Sequence, residues 1–111
     1  MIDEKKNSIT KHAQEGQVVW IQFDWDEPGS YHPALILDRE GENLRVVSGT
    51  SQNRRNGQQG FVKVDGGIGL KLTTYFQTTK VYDVPESSVG NIAGEMPDDI
   101  FRDIRERTEG I

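Results

Sequence analysis

Few side chains in this 111-residue chain can exchange protons near neutral pH. It contains no cysteine and two histidines, which excludes a thiol nucleophile, and we predict no metal ion and no cofactor. His32, just before an apolar run, is placed to act as a general acid or base, because imidazole titrates nearest neutral pH. A plain surface histidine beside a loop would leave the same pattern. His12 lies in the polar N-terminal segment and is interpreted as a bystander.

A pair of cations, Arg54 and Arg55, interrupts a polar stretch that runs from Ser51 to Gln59 without any apolar residue. We expect this stretch to be an exposed, mobile loop. Its arginines either clamp phosphate groups or only keep the loop solvated. The net charge of −5 argues against broad electrostatic binding of nucleic acid, so such binding would need a local cationic patch on an acidic body.

The elements that position these residues are mostly strands. In the first run, Val19, Ile21, Phe23 and Trp25 alternate with polar residues, which is typical of a half-buried strand. A second run, from Pro33 to Leu37, is apolar on both faces and predicts a central strand. The predicted strands are Val18 to Trp25, Pro33 to Leu37, Leu44 to Val47, Gly60 to Val64, and a long strand from Thr73 to Val84.

One helix is predicted, at 97–107, where Pro97 fits the first turn and apolar residues recur at helical spacing. The glycine-rich segment 65–69 cannot hold a regular element. We therefore expect a mainly β fold, a small antiparallel SH3-like barrel with a C-terminal α-helix, spanning residues 16–111. Residues 1–15 are interpreted as a polar, flexible leader.

The order of short motifs resembles the PemK/MazF family of bacterial growth-inhibiting toxins, and within it the Kid/PemK branch. Each motif is a few apolar residues with one marker, but their order and spacing agree from residue 16 to about residue 107. The matching segments are GQVVWIQFD (16–24), HPALIL (32–37), VVSGTS (46–51), GIGL (67–70), KVYD (80–83) and IAGEMPDDI (92–100).

This resemblance implies a toxin of a toxin–antitoxin module that forms a homodimer and is neutralised by a cognate antitoxin protein. It also implies cleavage of single-stranded RNA without a metal, through the ribose 2′-hydroxyl. No run approaches the roughly 18 apolar residues of a membrane span, and the N-terminus has no signal-peptide pattern. We expect a cytoplasmic protein with no membrane partner.

The resemblance also assigns site residues. His32 occupies the position of a strand-opening arginine in the family, and Thr50 and Ser51 match hydroxyl positions of its active site, although strand-end capping would use the same residue types. Together these three residues are the predicted catalytic set. The predicted RNA-binding residues are Arg54, Arg55, Phe61 and Lys80. Phe61 would stack on a base, or else pack in the core.

The chain departs from the branch where an Arg-x-Asp pair performs acid–base work, because Tyr75 and Gln77 occupy those positions. Glutamine cannot exchange a proton, and an ordinary tyrosine is a poor acid near neutrality. The loop carboxylates Asp24, Asp26 and Glu27 either supply a base or are solvated charges.

Three functions therefore remain open. The first is an endoribonuclease, and the second is a member that has lost the chemistry but still binds nucleic acid or protein. The third is a gyrase poison like CcdB. CcdB ends in Trp-Gly-Ile, whereas this chain ends in Glu109-Gly-Ile, so we rank that function last.

Overall fold

A computed structural model describes residues 13–52 and 60–110. They form one curled antiparallel sheet whose strands follow the order β4-β5-β3-β2-β1-β7, with β6 also paired to β3. A helix, α1, follows the last strand. The strands are β1 Gln17–Ile21, β2 His32–Glu40, β3 Asn43–Thr50, β4 Phe61–Val64, β5 Thr74–Gln77, β6 Tyr82–Pro85 and β7 Val89–Glu95, and α1 is Asp98–Thr108. The predicted mainly β barrel with a C-terminal helix is confirmed.

The two faces of the sheet carry two separate cores. On β1, Val18 belongs to the core beneath the helix, whereas Val19 and Ile21 belong to the other, and all three are fully buried. The prediction that β1 is half-buried, and extends to Trp25, is therefore wrong. The sheet curls until both faces of β1 are covered, and the strand ends at Ile21. The central strand β2 is buried on both faces, as its sequence predicts.

The long strand predicted from Thr73 to Val84 is in fact two strands. Both pair with β3, β5 at its C-terminal end and β6 at its N-terminal end. Between them, the backbone N–H and the hydroxyl of Thr78 both donate to the carbonyl of Gly60, at 2.8 and 3.1 Å. These bonds hold the segment against the start of β4, so the chain cannot follow β3 without a break.

The helix α1 lies within one residue of its predicted range, and Pro97 is its N-cap residue rather than its first helical residue. Asp98 and Asp99 in the first turn and arginines in the last turn complement the helix dipole. Ile104 is fully buried in the core beneath the helix. Among the described residues, no helix is both long enough and apolar enough to cross a bilayer.

A close backbone contact joins the glycine-rich segment to β7. A β-carbon on Gly69 would overlap the carbonyl oxygen of Ala93, and one on Gly94 would lie 2.6 Å from the carbonyl oxygen of Ile68. Only glycine permits two backbones to approach so closely. This contact holds residues 68–72 against the edge strand, where Leu70 and Leu72 form part of the groove described below.

The start of the described chain is fixed by a network around Arg39. Its guanidinium donates to both oxygens of Glu86, at 2.7 and 3.0 Å, and to the carbonyl of Ala13 at 2.8 Å. Glu86 in turn accepts from the N–H of Ala13, which is buried. These hydrogen bonds from the guanidinium to Glu86 raise the pKa of Arg39. The leader predicted at 1–15 remains a prediction, since residues 1–12 lie outside the described part.

We expect Arg39→Met to lower the free energy of unfolding by about 2 kcal/mol, because it removes the two hydrogen bonds that the guanidinium donates to the mostly buried carboxylate of Glu86. Arg45→Met is the matched control on the neighbouring strand. Its guanidinium lies 3.8 Å from Asp83 and both side chains are exposed, so the cost should stay below about 0.5 kcal/mol. Urea unfolding checks both variants. Equal midpoints would show that the Arg39 network does not stabilise the fold.

Candidate functional site

A groove of about 750 Å³ opens where β2 begins and β3 ends. It is open to solvent and largely apolar, with hydroxyl groups, an imidazole and one cation along its walls. All three predicted catalytic residues line it. The lining residues are Trp20, Tyr31, His32, Pro33, Gly49, Thr50, Ser51, Gln52, Gly69, Leu70, Lys71, Leu72 and Thr74.

The pairing of β2 with β3 explains why these residues meet. The two strands run antiparallel with Ala34 opposite Ser48. Two residues before Ala34 on β2 and two residues after Ser48 on β3, the same register places His32 opposite Thr50, beyond the last paired residues of the two strands. Ser51 follows directly. The sequence separates these residues by a hairpin, and antiparallel pairing brings them to one end of the sheet.

His32 is paired with a carboxylate from the loop between β1 and β2. Its Nε2 lies 3.0 Å from Oδ2 of Asp26, and the side chains are 39% and 13% exposed. This oxygen is buried, and within the described residues it accepts no hydrogen bond of good geometry, so the contact with Nε2 is one of proximity. Asp26 is thus placed to restrict the orientation of the ring.

An aromatic cluster surrounds this pair. The ring of Phe23 stacks on Trp25 with centroids 4.8 Å apart and an interplanar angle of 9°. The centroids of His32 and Tyr82 lie 5.9 and 6.0 Å from that of Trp25, and both rings are tilted. Lys80, an RNA-binding candidate, lies 5.1 Å above the Tyr82 ring and does not line the groove.

The hydroxyl of Thr50 accepts from the backbone N–H of Gln52 at 3.2 Å, as a capping residue does, and the side chain is half-buried. In the sheet Thr50 pairs with Tyr75, which is 3% exposed. Ser51 is exposed, and it also borders a smaller depression that includes Tyr75 and Lys63. Tyr75, which the sequence resemblance matches to an arginine of the branch, is therefore a buried phenol beside the hydroxyl pair.

The other predicted RNA-binding residues are not brought into the groove. Phe61 is half-buried on β4, opposite Gln77, and lies outside the groove lining. Arg54 and Arg55 fall within residues 53–59, outside the described residues, as does most of the loop predicted to be mobile.

Lys71, a cation in the groove wall, is missing from the residues predicted from the sequence. Lys71 directly follows the GIGL segment, and its position beside this motif is the sequence feature that could have identified it as a site residue. The sequence does not distinguish Asp26 from the other two carboxylates of its loop. In the structure, Asp24 and Glu27 are exposed, and of the three it is Asp26 that contacts His32.

Comparison with solved structures places this architecture among the MazF toxins. A MazE–MazF complex from Deinococcus radiodurans matches with a TM-score of 0.70 at 18% identity, over 86% of this chain and 92% of that chain. The Mycobacterium tuberculosis toxin MazF-mt6 matches with a TM-score of 0.67 at 22% identity, over 85% and 92%. The fold is that of MazF.

A further match is an endoribonuclease from a mycobacterial species, solved in complex with its cognate antitoxin. Its TM-score is 0.66 at 17% identity, over 86% of this chain and 87% of that one. No protein-family model matches the sequence, and no curated protein matches it significantly. At these identities the likeness establishes the fold, and the function must be argued from the site.

Proposed function

We propose that this chain is the toxin of a toxin–antitoxin module and an endoribonuclease that cleaves single-stranded RNA, including mRNA, without a metal. The observation that carries the proposal is the convergence of His32, paired with Asp26, and the Thr50–Ser51 hydroxyls on one groove. The structural neighbours include MazF toxins and an endoribonuclease bound to its antitoxin. Because mRNA is a cytoplasmic substrate, we propose the same location for the protein.

The chemistry follows from what RNA offers. Its 2′-hydroxyl attacks the adjacent phosphorus, the bond to the 5′-oxygen of the next nucleotide breaks, and a 2′,3′-cyclic phosphate remains. His32 takes the proton from the attacking hydroxyl and water protonates the leaving 5′-oxygen, or water and His32 exchange these two roles, while Asp26 holds the ring. Thr50 and Ser51 donate hydrogen bonds to the phosphate, and Lys71 offsets its growing negative charge.

The test is a cleavage assay with purified protein in EDTA. The substrates are a mixed-sequence single-stranded RNA and the same sequence with 2′-O-methyl groups. Cleavage of the first alone, with 2′,3′-cyclic phosphate ends, is expected, together with growth arrest on expression in cells. If no single-stranded RNA is cleaved, the enzymatic proposal fails. Breakage of DNA instead of RNA would support the gyrase-poison function.

One observation favours a second candidate, a binding member of the fold that has lost the chemistry. Tyr75 is buried and Gln77 cannot transfer a proton, so strand β5 carries neither group of the Arg-x-Asp pair. RNA binding with no cleavage at any pH would identify this function. The Kid/PemK branch itself remains a proposal, carried by the order of the sequence motifs.

We also propose a homodimer and a cognate antitoxin as partners. The strands β4 and β7 end the sheet order, and unpaired strand edges are usually covered in natural proteins. We expect sedimentation to give a dimer, with an interface of roughly 1,200 Å² or more. A monomer at a concentration of tens of micromolar would contradict this prediction. Co-expression with the antitoxin should restore growth.

A further inference from the structure

Trp25 is an exposed tryptophan that stacks on a buried aromatic ring. It is 60% exposed, whereas Phe23, two residues earlier, is 2% exposed. One face of the indole nonetheless lies parallel on the Phe23 ring. Exposing so large an apolar ring forfeits the stabilisation that its burial would give. An indole held flat with an open face suits stacking of a second flat ring.

The surroundings indicate which ring that is. His32 lies at the edge of the same stack, with its centroid 5.9 Å from that of Trp25 and 6.3 Å from that of Phe23, so a ring stacked on the indole would lie near the proposed proton-transfer group. Lys80 stands over the neighbouring Tyr82 ring and supplies a cation for a phosphate. A nucleobase joined to a phosphate matches a flat aromatic platform next to a cation.

Charge argues against a purely electrostatic site here. Asp24 and Glu27 are exposed on the same loop and repel phosphate. Stacking does not depend on net charge, so a base can be held where a phosphate alone would not bind. The carboxylate of Asp26 faces His32 and is mostly buried, which removes it from direct contact with solvent.

We propose that Trp25 is a stacking platform for one nucleobase of single-stranded RNA, preferably a purine, next to the bond that is cleaved. The larger purine ring covers more of the indole than a pyrimidine does. This inference rests on the RNA-cleaving function proposed above and adds to it a residue that selects the base. Sequence preference would then come from stacking strength at this position.

The experiment measures binding separately from cleavage. Short single-stranded oligonucleotides carrying 2′-O-methyl groups throughout cannot supply the attacking hydroxyl, so affinity is read without turnover. A series of such oligonucleotides carries one abasic position, moved stepwise along the chain. Trp25→Ala is expected to weaken binding of the intact oligonucleotide roughly fivefold to hundredfold. Trp25→Phe should retain most of the affinity.

A double-mutant cycle locates the contact. In the wild type, loss of the base at one position should weaken binding as much as Trp25→Ala does, and in Trp25→Ala the same loss should have little further effect. Restoring adenine there should bind wild type more tightly than restoring uracil. Ile92→Ala removes an exposed aliphatic side chain from β7 and should bind as wild type does.

The outcomes separate this inference from the proposed function. Coupling between Trp25 and one base without any RNA cleavage would support the platform and contradict the nuclease. Cleavage with additive, uncoupled effects would support the nuclease and overturn the platform. The inference is also overturned if the wild type binds none of these oligonucleotides. The same holds if Trp25→Ala alters only dimerisation or antitoxin binding, which would make Trp25 a protein contact.

Discussion

Replacing His32 with alanine is expected to slow cleavage of single-stranded RNA by about a hundredfold or more, the usual effect of losing an acid–base group. Of the described side chains that line the groove, His32 carries the imidazole, the usual group for general acid–base work, and a carboxylate lies 3.0 Å from its Nε2. Tyr75 is buried and Gln77 has no exchangeable acid proton. The described residues therefore offer no equivalent substitute in the groove.

Two comparisons sharpen this expectation. Thr50→Val keeps the shape of the side chain and removes one neutral hydrogen bond, so its cost should be about threefold to tenfold. Asp26→Asn keeps the shape of the loop residue while removing the charge that faces His32. It should lower kcat roughly tenfold or more with little change in KM, because Asp26 faces the catalytic histidine and does not contact the substrate.

The matched control for Asp26→Asn is Asp24→Asn. It removes the same charge from the same loop, at an exposed position with no contact to His32, and should leave kcat unchanged. Steady-state and single-turnover cleavage rates measure all four variants. If His32→Ala cleaves at the wild-type rate, the proton transfer belongs to the loop carboxylates instead. If Asp26→Asn and Asp24→Asn change kcat by the same factor, Asp26 has no role in orienting His32.

The second large effect is expected in stability. Gly69→Ala should lower the free energy of unfolding by roughly 4 kcal/mol or more, enough to unfold much of the population. Gly69 has a φ of +83°, and an added β-carbon would overlap the carbonyl oxygen of Ala93. That oxygen belongs to the backbone of β7, which cannot move away without breaking the contact that holds residues 68–72.

Gly67→Ala separates packing from backbone conformation. Gly67 has a similar φ of +78°, but an added β-carbon there would have no atom within 4 Å. Its cost should be limited to the strain of the left-handed conformation, about 1 to 2 kcal/mol. Thermal and urea unfolding of both variants give the comparison. If the two variants lose the same stability, the close approach of residue 69 to β7 does not support the barrel.

Replacing Gly69 should also change the shape of the groove, because Leu70, Lys71 and Leu72 follow it directly and line the groove. A Gly69→Ala protein that remains folded at low temperature should therefore bind RNA more weakly than Gly67→Ala. This links the glycine-rich segment, which has no regular structure, to the shape of the proposed active site.

The sequence alone determined the elements that depend on local patterns. The period of the apolar residues, the proline and the paired aspartates placed α1 within one residue. The run from Pro33 to Leu37, which is apolar on both faces, predicted the central strand β2. The apolar pattern placed His32 one residue before that strand, which in the structure begins at His32. It ended the next strand at Val47, and the family resemblance supplied Thr50 as the end of that strand, where the structure has it.

The tertiary structure alone decided which loop residues reach the site. Asp24, Asp26 and Glu27 are equivalent in sequence, and the turn after β1 makes one of them the partner of His32. The stacking of Trp25 on Phe23 likewise depends on where β1 stops, which alternation placed too far along the chain.

The break between β5 and β6 has the same origin. Threonine and aromatic residues favour a strand throughout Thr73 to Val84, but the hydrogen bonds from Thr78 to Gly60 reach across 18 residues of chain. Strand propensity is local, whereas the curling of a sheet and the ends of its strands are set by contacts between distant residues. For this reason the sequence predicted the strands and the helix, and only the folded chain brought His32, Asp26 and Trp25 together.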